Sequence, residues 1–249
     1  MTAWAPRRFW TEVAVVPETG GFGLRLDARA LRTPLRAALV VPTAAFAEAV
    51  AAEWRAVGEV VDPRLMPATR LANVVIDKVA QERAEVAAML AGYGESDLLS
   101  YRAEGPRALV ERQDAAWDPV MAWAAEALGA RLATARGLMP VAQDAAALAR
   151  LRARVDAIEP FRLAAFHDLV ALTGSLLLAL AVTEGWLAPE EAWSLSRLDE
   201  DFQAEEWGAD EEAEAAAEAR RGAFLDAGRF WRLLGPEAGG VPGGVSSDA

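Results

Sequence analysis

Through Val41 the chain alternates apolar and polar residues, and beyond it apolar positions recur every three to four residues. Phe9 to Val16 is rich in β-branched and aromatic side chains. Pro17 to Gly21 supplies a turn, after which Phe22, Leu24 and Leu26 alternate with Gly23, Arg25 and Asp27. This is the pattern of a hairpin with one buried face. A turn over Asp27 to Arg29 and extended pieces at Leu31–Thr33 and Ala38–Val41 complete a small antiparallel sheet. At Pro42-Thr43 the period changes: Thr43 is placed as an N-cap, Phe46, Val50, Trp54 and Val57 share a face, and Gly58 ends the helix. That helix is expected to cover the sheet, with Trp54 in the core, because so small a sheet needs a packed layer. Val60 to Asp62 reads as a further strand, and Met66-Pro67 opens a second helix running through Leu90.

The glycine-punctuated stretch Gly92 to Gly105 marks a domain boundary. Helices are expected beyond it, over 106–128, 143–158 and 161–182, then from Pro189 to an interruption at Trp207-Gly208, and finally over 210–234. The remainder, 235–249, reads as a flexible tail. The fold class is therefore α+β: residues 1–92 form a sheet-plus-helix domain and residues 93–234 a larger helical one. The most apolar run, Leu169 to Thr183, is shorter than the roughly 20 residues of a membrane span and reads as a buried core helix.

On the helix opened by Pro189, Leu195, Leu198 and Phe202 form the core-facing stripe. Trp193, Glu200 and Trp207 recur at seven-residue spacing on another side, with Ser196 and Gln203 beside them. Two readings stand: the helix is packed on two sides with the tryptophans interior, or the line is an acidic, aromatic docking surface.

Charge sharpens the second reading. Glu190 to Glu218 holds twelve acidic residues against one basic residue, Arg197, and so carries nearly all of the net charge of −12. Nucleic acid is excluded as a partner, since phosphate binding needs a basic footprint; a cationic protein surface fits. With 53% apolar and 25% charged residues the chain is globular. The absence of cysteine excludes disulfides and thiolate chemistry and fits a reducing compartment. No secretory signal opens the chain, so a soluble cytoplasmic protein without membrane insertion is expected.

Catalytic constellations are scarce. The single histidine, His167, lies on a mostly apolar helix, and no second His or Cys completes a zinc set. Gly20-Gly21-Phe22-Gly23 lacks the third glycine of a dinucleotide loop and precedes a strand. The only lysine, Lys78, sits inside a helix, away from any phosphate loop. No metal site or cofactor is expected. The alternative enzyme reading is a metal-dependent hydrolase built on the carboxylates near Glu200.

Six ordered blocks resemble the assembly chaperones of the F1 sector of ATP synthase. They are LeuArgThrPro (31–34), AlaGluTrp (52–54), MPATRLANVVID (66–77), SerAspLeuLeuSerTyrArgAla (96–103), TrpAspPro (117–119) and LDEDFQAEEWGADEEA (198–213). Ser100 stands where many members of that family carry Cys. The resemblance covers roughly Phe9 to Leu234. It implies a small N-terminal α/β domain followed by an orthogonal helical bundle. It also implies a monomeric, non-enzymatic role: binding the free alpha subunit of F1, preventing its aggregation, and yielding it to the beta subunit. In eukaryotic relatives the compartment is the mitochondrial matrix. Together with the charge and the helical wheel, the resemblance makes Trp193, Glu200, Gln203, Glu205, Trp207 and Gly208 the expected contact residues.

Overall fold

The computed structural model describes residues 7–137, 139–208 and 210–235; most of the expected tail lies outside them. The α+β expectation holds, with a small antiparallel sheet at the N-terminus and helices over most of the remaining chain.

Strands β1 (Val13–Glu18) and β2 (Gly21–Leu26) form the hairpin in the register Val13↔Leu26 to Glu18↔Gly21. Its turn is Thr19-Gly20, tighter than the sequence suggests. Pro17 stays within β1, which lies at the sheet edge, where a missing N–H costs little. Strands β3 (Arg29–Ala30) and β4 (Val40–Val41) both pair with β2. Helix α1 (Ala44–Ala56) starts where Thr43 Oγ1 accepts from the Phe46 N–H, and it buries Phe46 and Val50 on the sheet with Leu24 and Val41. Trp54 is half-buried, its ring 5.1 Å from that of Trp10. The strand expected at Val60 to Asp62 is reduced to one bridge, Arg7↔Val60, because Pro63–Leu65 turns as a 3-10 helix under an Asp62 cap.

Three expected helices are broken. The run from Met66 to Leu90 becomes α2 (Pro67–Val74), a π-helical turn (Val75–Val79) and α3 (Arg83–Gly92). β-Branched residues at 74–76 weaken the helix there. Asp77 is also drawn aside, accepting from the Thr33 hydroxyl at 2.6 Å and the Leu35 N–H at 3.3 Å. The apolar run 161–182 becomes α6 (Pro160–Thr173) and α7 (Leu176–Thr183): Gly174 takes φ +69 as a left-handed cap, and Ser175 caps the Leu178 N–H. The helix opened by Pro189 becomes α8 (Pro189–Ser196) and α9 (Leu198–Trp207). Here the Ser196 hydroxyl donates back to the Trp193 carbonyl at 2.7 Å, and Arg197 leaves helical geometry at φ −103, ψ 3.

The remaining helices, α4 (Arg107–Ala127), α5 (Ala145–Asp156) and α10 (Glu211–Leu233), follow the expected spans. Strands β5 (Tyr101–Arg102) and β6 (Ala135–Arg136) add a short parallel pair. One core lies between sheet, α1 and α2; the other, around Trp117, Leu151, Phe166, Leu169 and Leu177, lies among the helices. Helix α10 joins them. Its Phe224 is in the helical core, its Phe230 meets Phe46 edge-on at 5.5 Å, and the Thr43 hydroxyl donates to the Leu233 carbonyl at 2.7 Å. No helix of the described residues is long and apolar enough to cross a membrane.

Candidate functional site

The break at Arg197 dissolves the expected Trp-Glu-Trp line, since Trp193 and Glu200 lie on different helices. Trp193 is only 6% exposed, its ring 5.7 Å from that of Phe224. Trp207, by contrast, is 81% exposed. What survives of the pattern lies within α9, which has two faces.

The inner face is pinned to α4. Asp199 accepts from the Gln113 amide at 2.6 Å, Phe202 is buried under the Arg112 guanidinium at 5.3 Å, and Glu205 takes both Arg112 terminal nitrogens at 2.9 and 2.8 Å. This pairing holds the Glu205 carboxyl below the ordinary carboxylate range, the Arg112 hydrogen bonds being the main cause. Trp117 adds a hydrogen bond to the Leu195 carbonyl at 2.9 Å. The spacing 199, 202, 205 puts these three on one side of the helix.

The outer face carries Glu200, Gln203 and Trp207, also a helical stripe, and looks across a cleft of about 860 Å³ toward the first turns of α10. Trp193 and Gly208 line the same cleft, so the structure gathers five of the six expected contact residues and sends the sixth, Glu205, to α4. Gly208 takes φ +89 and ψ 151, a region essentially restricted to glycine, and so turns the chain from α9 into α10. Five carboxylates line the cleft, those of Glu200, Asp201, Asp210, Glu214 and Glu218, against two guanidinium groups. Arg197 pairs with Glu200 at 2.9 Å, and Arg220 donates to the Leu172 carbonyl. None of the six expected contact residues lies on the α10 wall, although its cap Asp210 and Glu214 stand four apart within the acidic run.

Asp199, Glu200 and Glu205 each turn to a different partner, and no three His, Cys, Asp or Glu side chains among the described residues converge on a metal-sized site. His167 bonds its neighbour Asp168 at 3.0 Å on a separate face of the molecule.

The family model described as ATP12 chaperone protein matches residues 7–125. The curated mitochondrial protein atp12 of Schizosaccharomyces pombe is 27% identical over 220 residues, which span 83% of this chain and 75% of that protein. The crystal structure of Atp12 from Paracoccus denitrificans is 53% identical with a TM-score of 0.89, covering 92% of this chain and 98% of that one. A protein from Agrobacterium tumefaciens is 43% identical with a TM-score of 0.86, over 92% of this chain and 85% of its own.

Proposed function

Because the chain belongs to the ATP12 family of ATP synthase assembly chaperones, we propose that its α9–α10 cleft holds the free alpha subunit of the F1 sector. The bound subunit is kept from aggregating until the beta subunit replaces it. The observation that carries this reading is an almost bare indole, Trp207, on the rim of a cleft where carboxylates outnumber cations five to two. A charged rim steers encounter with a basic client surface, and a few aromatic anchors supply most of the affinity. A small contact of this kind stays weak enough to be displaced.

In this reading Glu200, Gln203 and Trp207 touch the client. Trp193 is the floor, Gly208 shapes the turn, and Glu205 positions α9 by holding it on α4. The separate partners of the three carboxylates favour docking over the metal-hydrolase alternative. We place this role in the cytoplasm and assign it to a monomer.

Light scattering from purified alpha subunit is the test. Equimolar addition of this chain is expected to suppress the rise in scattering, and later addition of beta subunit to release the client into assembly. A scattering trace unchanged by the chain would overturn the reading.

A further inference from the structure

On the α4 side, the outer half of α9 is held by one side chain. At the inner end Leu198 and Phe202 are buried and Asp199 takes the Gln113 amide, while residues 203–208 are all exposed. Among the described residues, the only ion pair or side-chain hydrogen bond that these six make is the grip of Arg112 on Glu205. The helix is also broken at both ends, by the non-helical Arg197 and by Gly208 at φ +89. It is an arm anchored at one end, and from Asp199 to Trp207 it spans about 12 Å.

The Arg112–Glu205 pair has the features of a replaceable contact. Its side chains are 43% and 56% exposed, so a client can reach both, and an ion pair this open to water holds weakly. One terminal nitrogen of Arg112 meets each carboxylate oxygen, at 2.9 and 2.8 Å, which sets Glu205 for a planar guanidinium rather than for an ammonium. Over 203–219 the chain has seven carboxylates and no cation, so Glu205 is served from another helix. Asp201 and Glu206 have no ion pair among the described residues, and their charges add to that of Glu205 in acting on Arg112. Arg112 thus stands where a basic client would place a guanidinium of its own.

We propose that the Arg112–Glu205 pair is a releasable clasp: a client arginine takes Glu205 from Arg112, and the outer half of α9, freed from α4, closes on the bound segment. The inference rests on the chaperone reading and gives Glu205 two successive roles. It positions α9 in the free protein and receives the client in the complex. Exchange of one guanidinium for another leaves the number of paired forks unchanged for Glu205, so release is nearly balanced. A client shifts such an equilibrium only by preferring the released arm, and the vacated Glu205 supplies that preference. Leu198, Phe202 and Asp199 stay seated as the pivot, and the far end that moves carries Trp207.

A clasp and a prop predict opposite signs. Arg112→Met keeps a long side chain over Phe202 but gives up Glu205, and it is expected to bind alpha subunit about threefold or more tightly than wild type, since the internal competitor is gone. Affinity equal to wild type or weaker overturns the clasp and leaves Glu205 a positioning residue alone. The chain has no cysteine, so nitroxide labels can be set specifically at Ala115→Cys on α4 and Ala204→Cys on α9, both exposed positions. The distance between the labels is expected to lengthen when alpha subunit is added to the otherwise wild-type protein, a result that does not depend on how well Arg112→Met folds. An unchanged distance in the saturated complex overturns the clasp with the chaperone reading intact, because the client is then bound. If the wild-type chain binds no alpha subunit, the chaperone reading itself fails and the clasp falls with it.

Discussion

An Asp97→Ala variant is expected to melt well below the wild-type protein. The Asp97 side chain is fully buried and accepts from the Leu99 N–H at 3.0 Å, the Ser175 hydroxyl at 2.8 Å and the Leu177 N–H at 3.0 Å. It thereby ties the 3-10 turn Leu98–Ser100 to the start of α7. Truncation strands three buried donors, at a total cost of about 4 kcal/mol. For a chain of this length that corresponds to a fall of about 10 °C. Burial pushes the Asp97 carboxyl up from its ordinary range, and the hydrogen bonds pull it only part of the way back. A carboxyl raised on folding stabilises most below its unfolded pKa, and that contribution is lost as pH rises through the folded value. The melting difference between wild type and Asp97→Ala should therefore be larger near pH 4 than at neutral pH. Thermal scans at the two pH values check both points; equal melting temperatures would show that the clamp does not matter.

The second large effect is expected on binding. Trp207 is exposed, so Trp207→Ala should leave stability within about 0.5 kcal/mol. Loss of this aromatic anchor should nevertheless weaken alpha-subunit binding by about 2 kcal/mol, roughly thirtyfold. Glu200→Lys puts a second cation beside Arg197 and cuts the acidic excess of the rim from five against two to four against three, so it should slow association and reduce the sensitivity of binding to salt. Glu205→Lys disturbs the Arg112 pairing on the α4 side and should weaken binding less than Glu200→Lys does. Titration calorimetry and stopped-flow association separate these cases. Equal affinities for wild type and Trp207→Ala would remove the indole from the contact.

The features that could be read from the chain are those decided locally. The hairpin alternation, the Thr43 cap, and the helices over 107–127 and 145–156 depend on neighbours within a few residues. The three broken helices depend on contacts from afar or on signals hidden in apolar runs. Thr173-Gly174-Ser175 carries both a stop and a start, masked by the leucines around it, and Asp77 bends its segment only because Thr33 lies opposite.

The blocks that carried the family resemblance turn out to hold one another. Glu53 of the AlaGluTrp block accepts from the Ala68 and Thr69 N–H groups and the Thr69 hydroxyl of the MPATR block, at 2.6–2.8 Å. Burial raises the Glu53 carboxyl above its ordinary range. Arg102 of the TyrArg pair lies buried over the Trp117 ring, where it reaches Asp118 at 3.0 Å and donates to the Leu99 carbonyl. Asp199 takes the Gln113 amide. Such residues set the architecture, and the candidate docking stripe lies on the reverse of the helix they fix. Spacing alone identified Glu200, Gln203 and Trp207 as neighbours. It could not show that Trp193 faces inward or that Glu205 faces α4, because both depend on the turn at Arg197 and the placement of Arg112.

Hydrogen–deuterium exchange with and without free alpha subunit is the decisive measurement for the cleft. Residues 198–208 and the first turns of α10 are expected to exchange more slowly in the complex, with α5, on another part of the helical core, unchanged. Protection confined to other elements, with α9 exchanging as freely as in the isolated protein, would place the client elsewhere.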